Sequence, residues 1–282
     1  MKFIVLIVVM GLRRMDLGWS TLLADDERHQ RWLQRCGSRI GQPARVWWVA
    51  VLLPAVLIAW AACWLSGFWG QLLVLGLGIL LLLWLLGSYS EFRYVDELLV
   101  RGRMNDPDGF SALATDEFSV TGVPGDPAYH QQLNEQILAR EERLFVAIFW
   151  LVLLGFGAAF LVVMNHAWLQ HKRRHGREED APVWQQTLDN WLSLPPRQLL
   201  ILSMALAGNF SAAMNRMRGS WWQLPPSASL LLSVAHVAQE ESSEACPATL
   251  NIALDQLEAL HGLLLRCVAI WLIVAALWIM LL

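Results

Sequence analysis

Residues 144–166, LFVAIFWLVLLGFGAAFLVVMNH, decide the fold class. Nothing from Leu144 to Met164 carries a charge, and at about 1.5 Å per residue that run matches a hydrocarbon core about 30 Å thick. Charges bound it on both sides: Arg140-Glu141-Glu142-Arg143 before, and His171-Lys172-Arg173-Arg174-His175-Gly176-Arg177 after. Trp150 lies within the run and Trp168 just beyond it. At its centre, Gly155-Phe156-Gly157 places two small residues two apart, a site where a span bends or takes a neighbour close. Residues 144–168 are therefore expected to form a central transmembrane segment.

The rest of the composition agrees. Of 282 residues, 56% are hydrophobic and 16 are Trp, too apolar for an ordinary soluble domain. Indoles at this density suit a chain with many membrane boundaries. Lys plus Arg number 21 against 24 Asp plus Glu, a balance that points away from nucleic acid and from acidic substrates. Cys36, Cys63, Cys246 and Cys267 show neither a C-x-x-C spacing nor a disulfide framework. The expected class is all-α: a polytopic helical membrane protein with amphipathic cytoplasmic helices.

Working outward, residues 1–45 comprise a short apolar anchor and a basic amphipathic segment. Met1 to Met10 is too short to span, is followed by Arg13-Arg14 and lacks an A-x-A site, so it is expected to be retained. Arg28, Arg31, Arg35, Arg39 and Arg45 are spaced among Trp32 and Leu33. That spacing suits either a helix on an anionic leaflet or a solvated helix with pairs such as Glu27–Arg31. Residues 46–87 form two spans joined by Ser66-Gly67-Phe68, an antiparallel hairpin in which Pro54 frees a carbonyl for a neighbouring helix to satisfy. Residues 88–143 are a polar helical loop. Phe92, Val95, Leu98 and Leu99 recur at helical spacing, Pro107 opens a second helix, and a third starts near Pro127 and runs into Leu144. Residues 169–248 are a polar loop with an apolar helix at 188–214, read as a core helix rather than a span. Trp221-Trp222-Gln223-Leu224-Pro225-Pro226 is read as an interfacial linker. Residues 249–282 form a long helix, opened by Pro247, that ends in a C-terminal span.

Orientation follows from the arginines. Those from Arg13 to Arg45 mark a cytoplasmic side. A single crossing at 144–166 sets Lys172-Arg173-Arg174 on the opposite side, against that tendency; either the segment bends back at Gly155-Phe156-Gly157 or this cluster is an exception.

Four residues are candidates for a polar site: Asn105, Asp106, Asp189 and Arg197. Asn105, Asp106 and Asp108 cluster acceptors in one turn, a pattern suited to Mg²⁺ with a phosphate but more often to helix capping. Arg197 follows Pro195-Pro196 and precedes Leu199-Leu200-Ile201-Leu202, where an unpaired guanidinium is costly. A bend at the prolines would return Asp189 toward it as a structural ion pair, with Asp106 independent. His166, His171 and His175 have a spacing that shares a metal elsewhere. Among Lys172, Arg173 and Arg174 they read instead as a basic collar, and no metal site is expected.

In one order along the chain stand Asn105-Asp106, Gly122-Val123-Pro124, Phe149-Trp150 before Gly155 to Ala158, and Leu188-Asp189 before Leu194-Pro195-Pro196-Arg197. This series resembles the AmpE family, bacterial inner-membrane proteins associated with inducible β-lactamase. The resemblance implies a regulatory, non-catalytic role in β-lactamase induction and the cell-wall-recycling response. It also implies location in the inner membrane, with the lipid bilayer and proteins of that response, such as the amidase AmpD, as partners. A more distant resemblance to the CobD/CbiB cobinamide-phosphate synthases implies the alternative. That alternative is a membrane-embedded synthase or transferase acting on a phosphate-bearing substrate, with Mg²⁺ as its cofactor. The Gly-Pro-rich and Tyr-Arg motifs of those synthases are absent from residues 155–165.

Overall fold

A computed structural model of the chain describes residues 2–14, 27–40, 43–65, 67–86, 91–124, 126–174, 183–218, 228–239 and 250–281. Among these, every regular element is helical: α1 (Lys2–Arg14), α2 (Glu27–Ile40), α3 (Pro43–Trp47), a π-helical stretch (Trp48–Leu52), α4 (Leu53–Trp64) and α5 (Phe68–Leu86). There follow α6 (Glu91–Arg103), α7 (Pro107–Phe118), α8 (Pro127–Leu153), α9 (Phe156–Arg174), α10 (Val183–Ala207), α11 (Phe210–Met217), α12 (Ala228–Ala238) and α13 (Leu250–Leu281). Three stretches, Arg45–Trp64, Trp69–Leu86 and Ala253–Trp278, are long and apolar enough to cross a membrane. The linker at Trp221-Trp222-Gln223-Leu224-Pro225-Pro226, the helix opening at Pro247, and His175 lie outside the described residues.

The chain divides into two compact units, Met1–Tyr89 with Leu144–Pro196, and Ser90–Arg143 with Arg197–Leu282. In the first, the expected central crossing is absent as a single helix. Gly155 adopts φ +100, open to glycine and strained for other residues, and the N–H groups of Leu154 and Gly155 both return to the Trp150 carbonyl. That ends α8, and α9 starts afresh at Phe156. Leu144, Phe145, Val146, Ala147 and Ile148 are all buried, and five consecutive residues cover every side of a helix. These five residues are enclosed by protein.

Helix α9 wedges between the arms of the hairpin. A Cβ on Gly157 would stand 2.5 Å from the Ala55 carbonyl oxygen and 2.7 Å from the Ala59 methyl, so glycine lets α4 come this close. Phe156 lies against Gly78 of α5. Further along α9, Phe160 stacks on Trp84 at 6.0 Å, and Asn165 accepts the Trp47 indole N–H. Helix α9 is thus antiparallel to α4 and parallel to α5, and its C-terminal end lies at the open end of the hairpin. Three more contacts gather there. Arg13 donates to the Leu86 carbonyl at 3.0 Å, His29 packs edge-on to Trp84, and Trp32 donates to the Ala50 carbonyl at 3.2 Å.

That last bond answers a proline. Pro54 has no N–H to offer the carbonyl four residues earlier, which is Ala50. The backbone widens into the π-helical stretch just before it, with Leu53 N–H reaching the Trp48 carbonyl, and the Trp32 indole serves Ala50. The device recurs in α10, which continues through Pro195 and Pro196. Pro196 leaves the Leu192 carbonyl without its helical donor, and the Trp150 indole N–H donates to it at 2.8 Å.

In the second unit, the three helices expected between residues 88 and 143 are present as α6, α7 and the first part of α8. Their apolar positions meet in a core of Val95, Leu98, Phe110, Phe118, Leu133 and Ile137, closed by Leu254 and Leu257 of α13. Each fully buried large side chain contributes about 1.5–3 kcal/mol. Gly102 lies flush against Leu254, so α6 and α13 pack closely. The polar start of α13 pairs with α6 as well, Glu258 with Arg103 and His261 with Asp96. Helix α10 ends at Gly208, which abuts the Ala238 carbonyl at the end of α12, and Arg266 donates to the Ala207 carbonyl.

Two outcomes test this account. Trp150→Phe should cost about 1–3 kcal/mol by leaving the Leu192 carbonyl unserved. Pro196→Ala, which restores a backbone donor, should recover much of that loss in the double variant; an additive double variant, read by thermal unfolding in detergent, contradicts the pairing. The second concerns His130, whose ring lies 2.6 Å from the Pro124 carbonyl. Burial pushes its imidazole below the ordinary 6.5, against the opposing pull of the Pro124 bond and the Asp126 charge. The unfolded chain then binds a proton that the folded one refuses, so this contribution to stability is intact above 6.5 and declines as pH falls below it. His130→Gln should flatten that acid limb in melts recorded from about pH 7.5 to about pH 5.

Candidate functional site

A linked set of polar groups in the first unit lies between α9 and α10. Asn165 is fully buried in the run Val162-Val163-Met164-Asn165, so both ends of its amide require partners. Its oxygen accepts from Trp47 Nε1 at 3.0 Å, and its nitrogen donates to Asp189 Oδ1 at 3.0 Å. Asp189 Oδ2 lies 3.3 Å from His166 Nδ1. His166 Nε2 lies 3.2 Å from the Gln170 amide nitrogen. One tautomer satisfies the whole chain: Nδ1–H donates to Asp189, and Nε2 accepts from Gln170. Beside it, Trp168 Nε1 donates to Gln185 Oε1 at 3.1 Å, and Trp184 packs edge-on to Trp47 with centroids 4.8 Å apart.

Chemically, this chain orients an imidazole. Asp189 is 16% exposed and His166 36%, so a sheltered carboxylate fixes a ring that reaches solvent. Gln170 engages the second ring nitrogen, and the network ties α9 to α10 from the inside.

Arg197 belongs to the second unit and finds a different acid. Its Nε and Nη2 both reach Glu142 Oε1, at 2.6 and 2.5 Å, and the two side chains are 15% and 11% exposed. The expected Asp189–Arg197 pair is therefore replaced by two separate ties. The bend it required does not form, because α10 continues as a helix through Pro195-Pro196. Asp106 is the N-cap of α7: its carboxylate accepts from Gly109 N–H at 2.9 Å, and Arg101 donates to the Gly109 carbonyl. Asn105 takes a left-handed φ of 57 at the end of α6, with Asp106 N–H returning to the Arg101 carbonyl. Asn105 and Asp106 thus perform the capping chemistry common to such turns.

Glu142, Asn165 and Trp47 were not singled out from sequence. Asn165 had a signal, an uncharged amide isolated in an apolar run; Glu142 stood in a charged flank and had none. His166 is drawn to Asp189 rather than to a metal. Among the described residues no group of three or more His, Cys, Asp or Glu comes together as ligands.

The Glu142–Arg197 tie can be tested directly. Arg197→Leu should cost about 3–5 kcal/mol by stranding Glu142 away from water, and Glu142→Leu with Arg197→Leu should restore much of it. Asp189→Ala combined with Arg197→Leu should show no such recovery. A melt series in which Asp189, not Glu142, rescues Arg197→Leu contradicts the assignment.

Compared with models of known families, with curated proteins and with solved structures, the chain matches none.

Proposed function

We propose that the chain is an integral protein of the bacterial inner membrane with a regulatory rather than catalytic role. That role is the one its resemblance to AmpE implies, modulation of β-lactamase induction and of the cell-wall-recycling response. The observation that carries the membrane placement is the set of three long apolar helices with apolar side chains exposed along them. Leu53, Val56, Leu57 and Trp60 of α4, Leu72, Leu73 and Leu77 of α5, and Ile273, Val274 and Leu277 of α13 all face outward. In water such a surface is unfavourable; in lipid it is the ordinary exterior.

Orientation finds a consistent solution. Arg13, Arg31, Arg35 and Arg45 belong to elements at the open end of the hairpin, and α9 delivers Lys172-Arg173-Arg174 to that same end. All the basic clusters then share one side, the cytoplasmic one. The reversal at Gly155 removes the conflict that a straight crossing at 144–166 creates.

Support for a regulatory role comes from the family-like polar residues themselves. Asp106 caps a helix, Asp189 holds Asn165 and His166, and Arg197 holds Glu142. Asp106 is thus engaged within one helix, and Asp189 and Arg197 in ties between helices.

The test is genetic and biochemical. In a bacterium with an inducible β-lactamase, deleting the gene should change the induced enzyme level at a fixed β-lactam dose, and the wild-type chain should restore it. Reporter fusions within residues 15–26 and after residue 174 should both report the cytoplasm. Unchanged induction contradicts the regulatory role, and a periplasmic signal at either fusion contradicts the orientation.

A further inference from the structure

Helix α2 is pinned at a definite depth. Trp32 binds the Ala50 carbonyl five residues inside Arg45–Trp64, and His29 meets Trp84 close to the far end of Trp69–Leu86. Both anchors belong to the open end of the hairpin, so α2 lies across that end where the apolar spans stop. Leu33 is buried beneath it, while Arg31, Gln34, Arg35 and Ser38 are exposed. Arg31 and Arg35 are four apart on one helical face, and Arg45 is exposed at the start of the first span.

Aromatic residues mark the same level. Trp32, Trp48 and Trp184 are each partly exposed there, and the last two face each other with centroids 6.4 Å apart. Indoles with one apolar side and one N–H settle at the headgroup layer of a bilayer, and arginines beside them reach its phosphates. A guanidinium offers parallel N–H donors that match two phosphate oxygens.

From this coincidence of depth, charge and aromatic residues, we propose that the Arg31–Arg35 face of α2, with Arg45, is a binding surface for the phosphate headgroups of anionic phospholipids. It rests on the membrane placement proposed above and adds a lipid specificity to it. The occupant is anionic lipid because Arg31, Arg35 and Arg45 are exposed cations beside Trp32 and Trp48 at the end of the apolar spans. Occupancy secures α2 against the hairpin and so keeps the Trp32 indole on the Ala50 carbonyl.

The full chain, reconstituted into vesicles of phosphatidylcholine alone or mixed with phosphatidylglycerol, provides the test. Phosphatidylglycerol should raise the melting temperature of the wild type, and high salt should erode the increment. Arg31→Gln with Arg35→Gln should lose the increment, each variant being compared with its own melt in phosphatidylcholine. Its retention of phosphatidylglycerol in native mass spectrometry should fall by about fivefold for each arginine removed. Arg31→Lys with Arg35→Lys should keep most of the increment, which holds the test open if the glutamine variant fails to fold. An undiminished increment in the glutamine variant overturns the proposal. So does an equal increment when inorganic phosphate is added to phosphatidylcholine vesicles. Release of the wild-type chain from vesicles by alkaline wash overturns the membrane placement itself.

Discussion

Carbonyl oxygens that lose their helical donors must find others, and much of this structure follows from where those donors come from. Pro54 strips Ala50 of its partner and Trp32 replaces it; Pro196 strips Leu192 and Trp150 replaces it. Helix ends create the same need. Arg13 serves Leu86 at the end of α5, Arg266 serves Ala207 at the end of α10, and the Asn209 N–H serves Ala238 at the end of α12. In an apolar setting each unserved carbonyl costs more than in water, so these side chains fix which helices can be neighbours. Part of the high tryptophan content thereby acquires a structural use: the indole is a bulky apolar group with a single donor at its edge.

The second constraint is steric. With glycine at 157, α9 approaches α4 closely enough for the Ala55 carbonyl to sit where a Cβ would be. That approach carries Asn165 to Trp47 and Phe160 to Trp84. From Asn165 the polar chain continues to Asp189 and His166, so one glycine contact positions a hydrogen-bonded series just over two turns away.

How much of this was legible in the sequence depends on what kind of signal each feature leaves. Helices α6 and α7 announce themselves through apolar periodicity and through Pro107, and the Asn105-Asp106 turn through its capping residues. The hairpin is legible from uninterrupted apolar length. Hydropathy at residues 144–166 leaves open whether protein or lipid encloses the run, because both surroundings suit equally apolar residues. Only the contacts distinguish them, although Gly155-Phe156-Gly157 did mark the place where the chain breaks and packs. The Asp189–Arg197 pairing failed because a Pro-Pro step suggests a bend, whereas a donor from another helix allows α10 to continue. Glu142 could not be found at all, since an acid in a charged flank gives no hint of its distant partner.

The break at Gly155 also bears on how the chain is made. A ribosome delivers residues 46–86 before residues 144–166, so both arms of the hairpin exist when the apolar run emerges. The groove into which Phe156 and Gly157 fit is already built by then, and Gln185 and Asp189 at the start of α10, which bond to Trp168 and Asn165, arrive later. Synthesis order therefore favours a segment that turns back onto earlier helices, and a permuted gene encoding α9 ahead of α4 and α5 would emerge without its template.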